Sequence, residues 1–189
     1  ETNAGNPVST QKLFSGLKRY GINTIRIPIA WSNMMVQEKQ SDGSTYYRIN
    51  EAYFDRVEEV INYCLNEEMY VIINDHWDGQ WWGMFGDADL SVRAQAWKKY
   101  EDMWTQIANR YIDYSDRLIF EGANEELGER LNDNWKGTGG TKGVLTRKET
   151  YALTNEINQK FVDIIRKSGI NADGTKNNNY YLSLIHISE

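Results

Sequence analysis

The sequence predicts an α/β protein whose strands run parallel, and three observations carry that expectation. Short runs rich in β-branched and apolar residues alternate strictly with longer runs of helical period, the pattern of βαβ units. Residues 69–74 (MYVIIN) are apolar nearly throughout, as a strand covered on both faces has to be. Polar residues collect at the C-terminal ends of the strands, which is where such sheets place their ligands.

Taken in order, residues 10–20 read as a helix with Leu13, Leu17 and Tyr20 on its buried face and Gly21 as its stop. Residues 23–30 (NTIRIPIA) read as the first strand, with Pro28 near its end. Residues 49–68 form a helix capped by Asn50, with Tyr53, Val57, Val60, Ile61, Cys64 and Leu65 inward. The second strand is 69–74. Residues 91–111 form a helix carrying Ala94, Trp97, Trp104, Ile107 and Ala108, and residues 117–123 (RLIFEGA) the third strand. Thr146 and Glu149 make a capping-box signature ahead of a helix with Leu153, Ile157, Phe161, Ile164 and Ile165, closed by Gly169. The Asn/Asp/Gly-rich residues 171–179 are a turn.

Two architectures accommodate this order, a doubly wound sheet and a (β/α)8 barrel. No dinucleotide fingerprint favours the first. About three to four βα units are legible, short of a barrel's eight. The stretch 137–143 (GTGGTKG) is superficially like a phosphate loop. Its lysine lacks the neighbouring Gly and Ser or Thr, and no strand leads into it, so a flexible insertion is expected.

Composition narrows the function classes. The chain has 189 residues with a net charge of −6, and an acidic balance argues against nucleic acid or an anionic membrane as partner. No apolar run approaches a membrane span. Cys64 is the only cysteine and lies on an apolar helical face, so a buried inert thiol is expected and no Cys-rich metal site. There are 7 Trp and 12 Tyr, and Trp31, Trp77, Trp81 and Trp82 follow strands rather than sitting on periodic faces. Core packing is one reading of them; a stacking surface for the flat C–H faces of sugar rings is the other and is preferred.

At the strand ends stand Arg26, then Asn74-Asp75-His76-Trp77-Asp78, then Asn124-Glu125-Glu126. A carboxyl with cationic and amide neighbours is the material of acid/base chemistry. Each residue also has a plainer role available. Arg26 could be an ion-pair partner, although an arginine inside an apolar strand is costly without purpose. His76 taken alone is more often structural. Asn124-Glu125 could be a solvated strand-end turn, Glu126 is the rival acid, and Asp75 and Asp78 read as supporting or loop residues.

The strings IRIP, NDHWDG and LIFEGANE, in this order on successive strands, resemble glycoside hydrolase family 5, the cellulase-like group; ETNAGNPVST resembles the segment after that family's first barrel strand. The resemblance covers residues 1–181 and implies an incomplete (β/α)8 TIM barrel, the partial catalytic barrel of a retaining endo-β-glycanase acting on β-1,4-glucan or a related plant polysaccharide. It implies that Glu125 is the general acid/base, that Asn124 binds the sugar 2-hydroxyl, that Arg26 orients the nucleophilic carboxylate, and that His76 lines the cleavage subsite. Trp31, Trp77, Trp81 and Trp82 become glycan contacts. Glu126 stands where the family often has proline. The family's nucleophilic Glu has no motif in this sequence, so the 189-residue chain by itself is expected to be inactive, with apolar strand edges exposed.

No metal or organic cofactor is implied; a polysaccharide substrate implies export, and the parent is expected to be a monomer. Residues 182–189 (LSLIHISE) resemble the conceptual translation of a sequencing-library adapter and are expected to be foreign, which would remove His186 from consideration. The competing readings are a non-catalytic carbohydrate-binding protein on the same scaffold and an unrelated barrel such as an isomerase or aldolase. The latter would call for a strand-end lysine or a phosphate site, and neither is visible.

Overall fold

A computed structural model describes residues 5–76, 78, 81–124, 126–132, 140–177 and 184–185. In chain order the elements are α1 (Gln11–Arg19), β1 (Thr24–Ile27), β2 (Met35–Lys39), β3 (Thr45–Ile49), α2 (Glu51–Leu65), β4 (Tyr70–Asn74), α3 (Leu90–Arg110), β5 (Leu118–Glu121), α4 (Glu126–Leu131), α5 (Arg147–Ser168) and β6 (Leu184–Ile185). The main sheet has the order β1-β4-β5-β6 and is parallel at every pair. β6 pairs only through Leu184 and Ile185, opposite Phe120 and Glu121.

The helices close where their end signals stand. The Asn50 side chain accepts from Tyr53 N to open α2, Thr146 and Glu149 form a reciprocal capping box on α5, and Gly169 ends it. Period-2 alternation gives the sheet two faces. Val71, Ile73, Leu118 and Phe120 are buried on the helix side. There Trp104 of α3 meets Phe120 at 6.3 Å and Phe161 of α5 at 4.7 Å between ring centroids, both edge-on. Cys64 is fully buried in the same core, and burial pushes its thiol up to about 12.

Three expectations need correcting. The buried face of α1 is set by Phe14, 4% exposed, whereas Leu13 and Tyr20 are exposed at 49% and 90%. The helix is turned because Phe14 packs on Tyr63 of α2, while Gln11 and Ser15 bond to Glu67 from the same side. On α3, Ala94 is exposed and the buried positions are Ala96, Tyr100, Asp102, Met103, Trp104, Ile107 and Ala108. The first and third strands are also shorter than expected: β1 ends at Ile27, just past Arg26, and β5 ends at Glu121.

A hairpin and the short helix α4 were not foreseen. β2 and β3 form an antiparallel hairpin, Met35 opposite Ile49 through Lys39 opposite Thr45. Its turn needs Gly43, with φ at +83°. α3 holds the hairpin down: Asp102 accepts from Tyr47 N, and Gln106 accepts from Ile49 N while donating to Tyr47 O. Gly83 lies so close to Thr141 and Lys142 that a Cβ there would fall 2.4 Å from their backbone. That contact anchors the end of the insertion; residues 133–139 lie outside the described residues.

Candidate active site

The face of the sheet opposite the helices carries Arg26, Asn74 and Glu121. Arg26 is on β1 and Glu121 on β5, with β4 between them. The arginine crosses β4: Nε donates to Glu121 Oε2 at 2.7 Å and Nη2 to Oε1 at 2.9 Å. The same Nη2 donates to Asn124 Oδ1 at 3.0 Å. The Glu121 side chain is 2% exposed and that of Arg26 35%. A carboxylate so deeply buried is tolerable only when paired and hydrogen-bonded, and the two-pronged guanidinium supplies both conditions.

Asn74 closes β4. Its carbonyl accepts from Trp31 Nε1 at 2.9 Å, and its Nδ2 lies 3.3 Å from His76 Nδ1. The backbone of His76 is tied to the end of the first strand by its N–H on Ile29 O at 2.8 Å. Beyond it, Asp78 accepts from both the N–H and the hydroxyl of Ser32. Tyr100 OH donates to Gly122 O at 3.0 Å and so braces the backbone just before Asn124.

Arg26 and Asn124 are thus brought into one cluster and His76 is held by Asn74. Glu125 and Trp77 lie outside the described residues. Trp31 and Trp82 are fully buried and Trp81 is 3% exposed, which departs from the expectation of a glycan-contact surface. Trp31 leans on Tyr53 and Phe54. Trp81 and Trp82 stack with centroids 4.5 Å apart, and Lys99 sits 4.6 Å over Trp81. The short 3-10 turns Trp31–Met34 and Trp82–Gly86 fold these rings back onto α2 and α3, so their packing role is the one the contacts favour.

Glu121 is the site residue the sequence reasoning missed. The signal was there: an acid inside the apolar run LIFEG is as costly as the arginine inside IRIP and points to it as partner. Among the described residues no group of three or more His, Cys, Asp or Glu side chains converges to hold a metal, and no helix is long and apolar enough to cross a membrane. A cleft of about 630 Å³ lies between α3 and α5, lined among others by Glu101, Lys160 and Asp163; it contains none of the strand-end residues.

Asp75 is completely buried next to Asn74, beside the Asp78 carboxylate and the Trp31 backbone. Burial pushes its carboxyl well above the ordinary range, the charge of Asp78 adds to the shift and Lys99 opposes it. A folded-state value raised above the unfolded one of about 3.9 gives stability that is full below that pH and declines as pH rises through the folded value. Asp75→Asn is therefore expected to raise the melting temperature at pH 7, with the gain shrinking toward pH 4. Thermal melts across that range check it; a variant with the parent's pH dependence would contradict it.

The sequence matches the family described as cellulase (glycosyl hydrolase family 5) over residues 1–178. It is 36% identical over 169 residues to a xyloglucan-specific endo-beta-1,4-glucanase of Bacteroides ovatus, a match covering 89% of this chain and 30% of that protein. It is likewise 36% identical over 171 residues to endoglucanase B of Clostridium cellulovorans, covering 90% and 35%. Of solved structures, a broad-specificity endoglucanase from Clostridium cellulovorans superposes with a TM-score of 0.74 at 36% identity, over 97% of this chain and 46% of that one. Another, from Ruminococcus champanellensis with bound cellotriose, gives 0.75 at 30% identity, over 98% and 46%. The chain spans about a third of the length of these curated relatives. With residues 1–178 of its 189 matching the family profile, the chain belongs to the cellulase family, glycosyl hydrolase family 5.

Proposed function

We propose that this chain supplies the acid/base half of the catalytic site of a retaining endo-β-glycanase acting on β-1,4-linked glucan. Xyloglucan, mannan, mixed-linkage glucan and xylan are the related substrates. The observation that carries the reading is the Glu121–Arg26–Asn124 cluster at the strand ends, with Glu125 following Asn124 directly in sequence. In this reading the parallel sheet is an arc of a (β/α)8 barrel, and the partner carboxylate comes from a later strand of the complete catalytic domain. The 189 residues alone are inactive, and residues 182–189 take no part.

Glu125 protonates the leaving glycosidic oxygen while the partner carboxylate attacks the anomeric carbon, displacing the leaving sugar and forming a glycosyl-enzyme. Glu125, now ionised, then takes a proton from the water that releases the sugar. Asn124 holds the 2-hydroxyl, a contact that tightens in the transition state. Arg26 keeps the attacking carboxylate ionised and oriented, and His76 lines the subsite. Protonation and covalent attack need no metal or cofactor. A polymeric substrate places the enzyme outside the cell. A purely sugar-binding role would rest on exposed tryptophan faces, and Trp31, Trp81 and Trp82 do not offer them.

The test is the anomeric configuration of the first product. Proton NMR of cello-oligosaccharide hydrolysis by the complete domain is expected to show the β-anomer forming first, with the α-anomer following only by mutarotation. The α-anomer first would contradict the two-step mechanism.

A further inference from the structure

We propose that Glu121 is a positioning residue for the reaction, acting through Arg26 to set the orientation of the Asn124 amide; this rests on the function proposed above. The register makes the argument. Arg26 is level with Ile72 on β4, and Ile72 with Ile119 on β5. Glu121 therefore lies two strands across, about 10 Å away, and two residues along, about 7 Å toward the C-terminal ends. An arginine reaching that far has many other rotamers available. The buried carboxylate selects one of them, because it accepts from Nε and Nη2 together and so fixes the guanidinium plane.

That plane decides what Asn124 presents. Nη2 also donates to Asn124 Oδ1 at 3.0 Å. A guanidinium has no acceptor, so it admits only the amide oxygen on its side and directs the Nδ2 donors elsewhere. An Asn124 held this way offers N–H groups to a sugar 2-hydroxyl oxygen. With the amide reversed it would offer an acceptor instead, and its Nδ2 would face the cation. Gly122 supports the arrangement from the backbone, since a Cβ there would fall 2.8 Å from the Phe161 ring and displace the segment that carries Asn124.

The test is Glu121→Gln in the complete catalytic domain, with Glu121→Asp as a second variant in case the first does not fold. Glutamine presents one oxygen and one NH2 where the guanidinium needs two acceptors, and aspartate is one methylene too short to reach both nitrogens. Either variant is expected to lower kcat about 100-fold, the scale of a slight misplacement of reacting groups, with KM little changed. The readout that a merely structural role would not move is the ratio of rates on an aryl β-cellobioside and its 2-deoxy analogue. The parent discriminates strongly between the two; the variants are expected to lose most of that discrimination.

An independent readout uses the complete catalytic domain. The Arg26 Nε–H resonance in a 15N-labelled sample is expected to move upfield and exchange faster in Glu121→Gln. Discrimination kept at the parent level, or an unmoved Nε–H signal, would overturn the proposal. A parent domain inactive on β-glycan would instead sink the functional reading, while the Arg26 signal would still decide whether Glu121 positions the arginine.

Discussion

Replacing Glu125 with glutamine in the complete domain is expected to lower kcat on β-1,4-glucan by about 10²–10⁴-fold, the range general acid/base catalysis supplies. The loss follows from the leaving group. A sugar alkoxide is too basic to depart unprotonated, so without the acid the first chemical step stalls. An aryl glycoside with an acidic phenol needs no such help. On that substrate the first step is expected to proceed nearly unimpaired, and the slow step becomes release of the glycosyl-enzyme. Glu126→Gln is the control for the rival acid. Glu126 is the first residue of α4, and its replacement is expected to leave kcat close to the parent value on both substrates. A large loss for Glu126→Gln with Glu125→Gln unaffected would move the acid by one residue and break the Asn124-based assignment. The measurement is initial-rate kinetics on glucan and on the aryl glycoside for the three proteins.

Trp104→Ala is expected to cost about 3–5 kcal/mol, the usual range for deleting a large aromatic from a core, and to lower the melting temperature by on the order of 10 °C. Trp104 stands between three elements: it projects from α3 and meets Phe120 on β5 and Phe161 on α5 edge-on. Removing it opens a cavity at the point where the sheet and both helices meet, and interiors relax only partly into such gaps. Trp97 on the same helix is the comparison. It is only partly buried, touching Phe85 at 5.0 Å with Lys160 at 5.9 Å over its ring, so Trp97→Ala is expected to cost distinctly less. Urea unfolding of both variants checks the order; equal losses would mean that α3 does not dock through Trp104.

These two tryptophans also show how far the sequence could be read. Helical period placed both on one face, and the structure separates them by burial, because period identifies a face but not which of its members sits at its centre. Leu13 and Tyr20 illustrate the same limit on a short helix, where a polar anchor such as Gln11 turned the buried side toward Phe14. The alternation of strands and helices came through clearly since it depends on local composition. The hairpin Met35–Ile49 was passed over even though Asp42-Gly43 is a hairpin turn signal, because its strands are half exposed and lack a continuous apolar run.

At the site, Arg26 was legible because a charge inside IRIP demands a reason. Glu121 obeys the same logic from the other side of β4, but a partner 95 residues away cannot be read from spacing. The burial of Trp31, Trp81 and Trp82 is not legible for a related cause: a loop position in sequence says nothing about whether a 3-10 turn folds the ring inward.

If Glu125 is the acid/base of a retaining site, removing it leaves a recognisable chemical trace. The most direct measurement is the product formed when Glu125→Ala, in the complete domain, turns over an activated aryl β-cellobioside in the presence of azide. The glycosyl-enzyme still forms from that substrate but lacks a base to deprotonate water. Azide needs no deprotonation and attacks the same face. Azide is expected to restore the rate and to give a β-cellobiosyl azide product. An α-azide, or no restoration and no azide adduct, would contradict it.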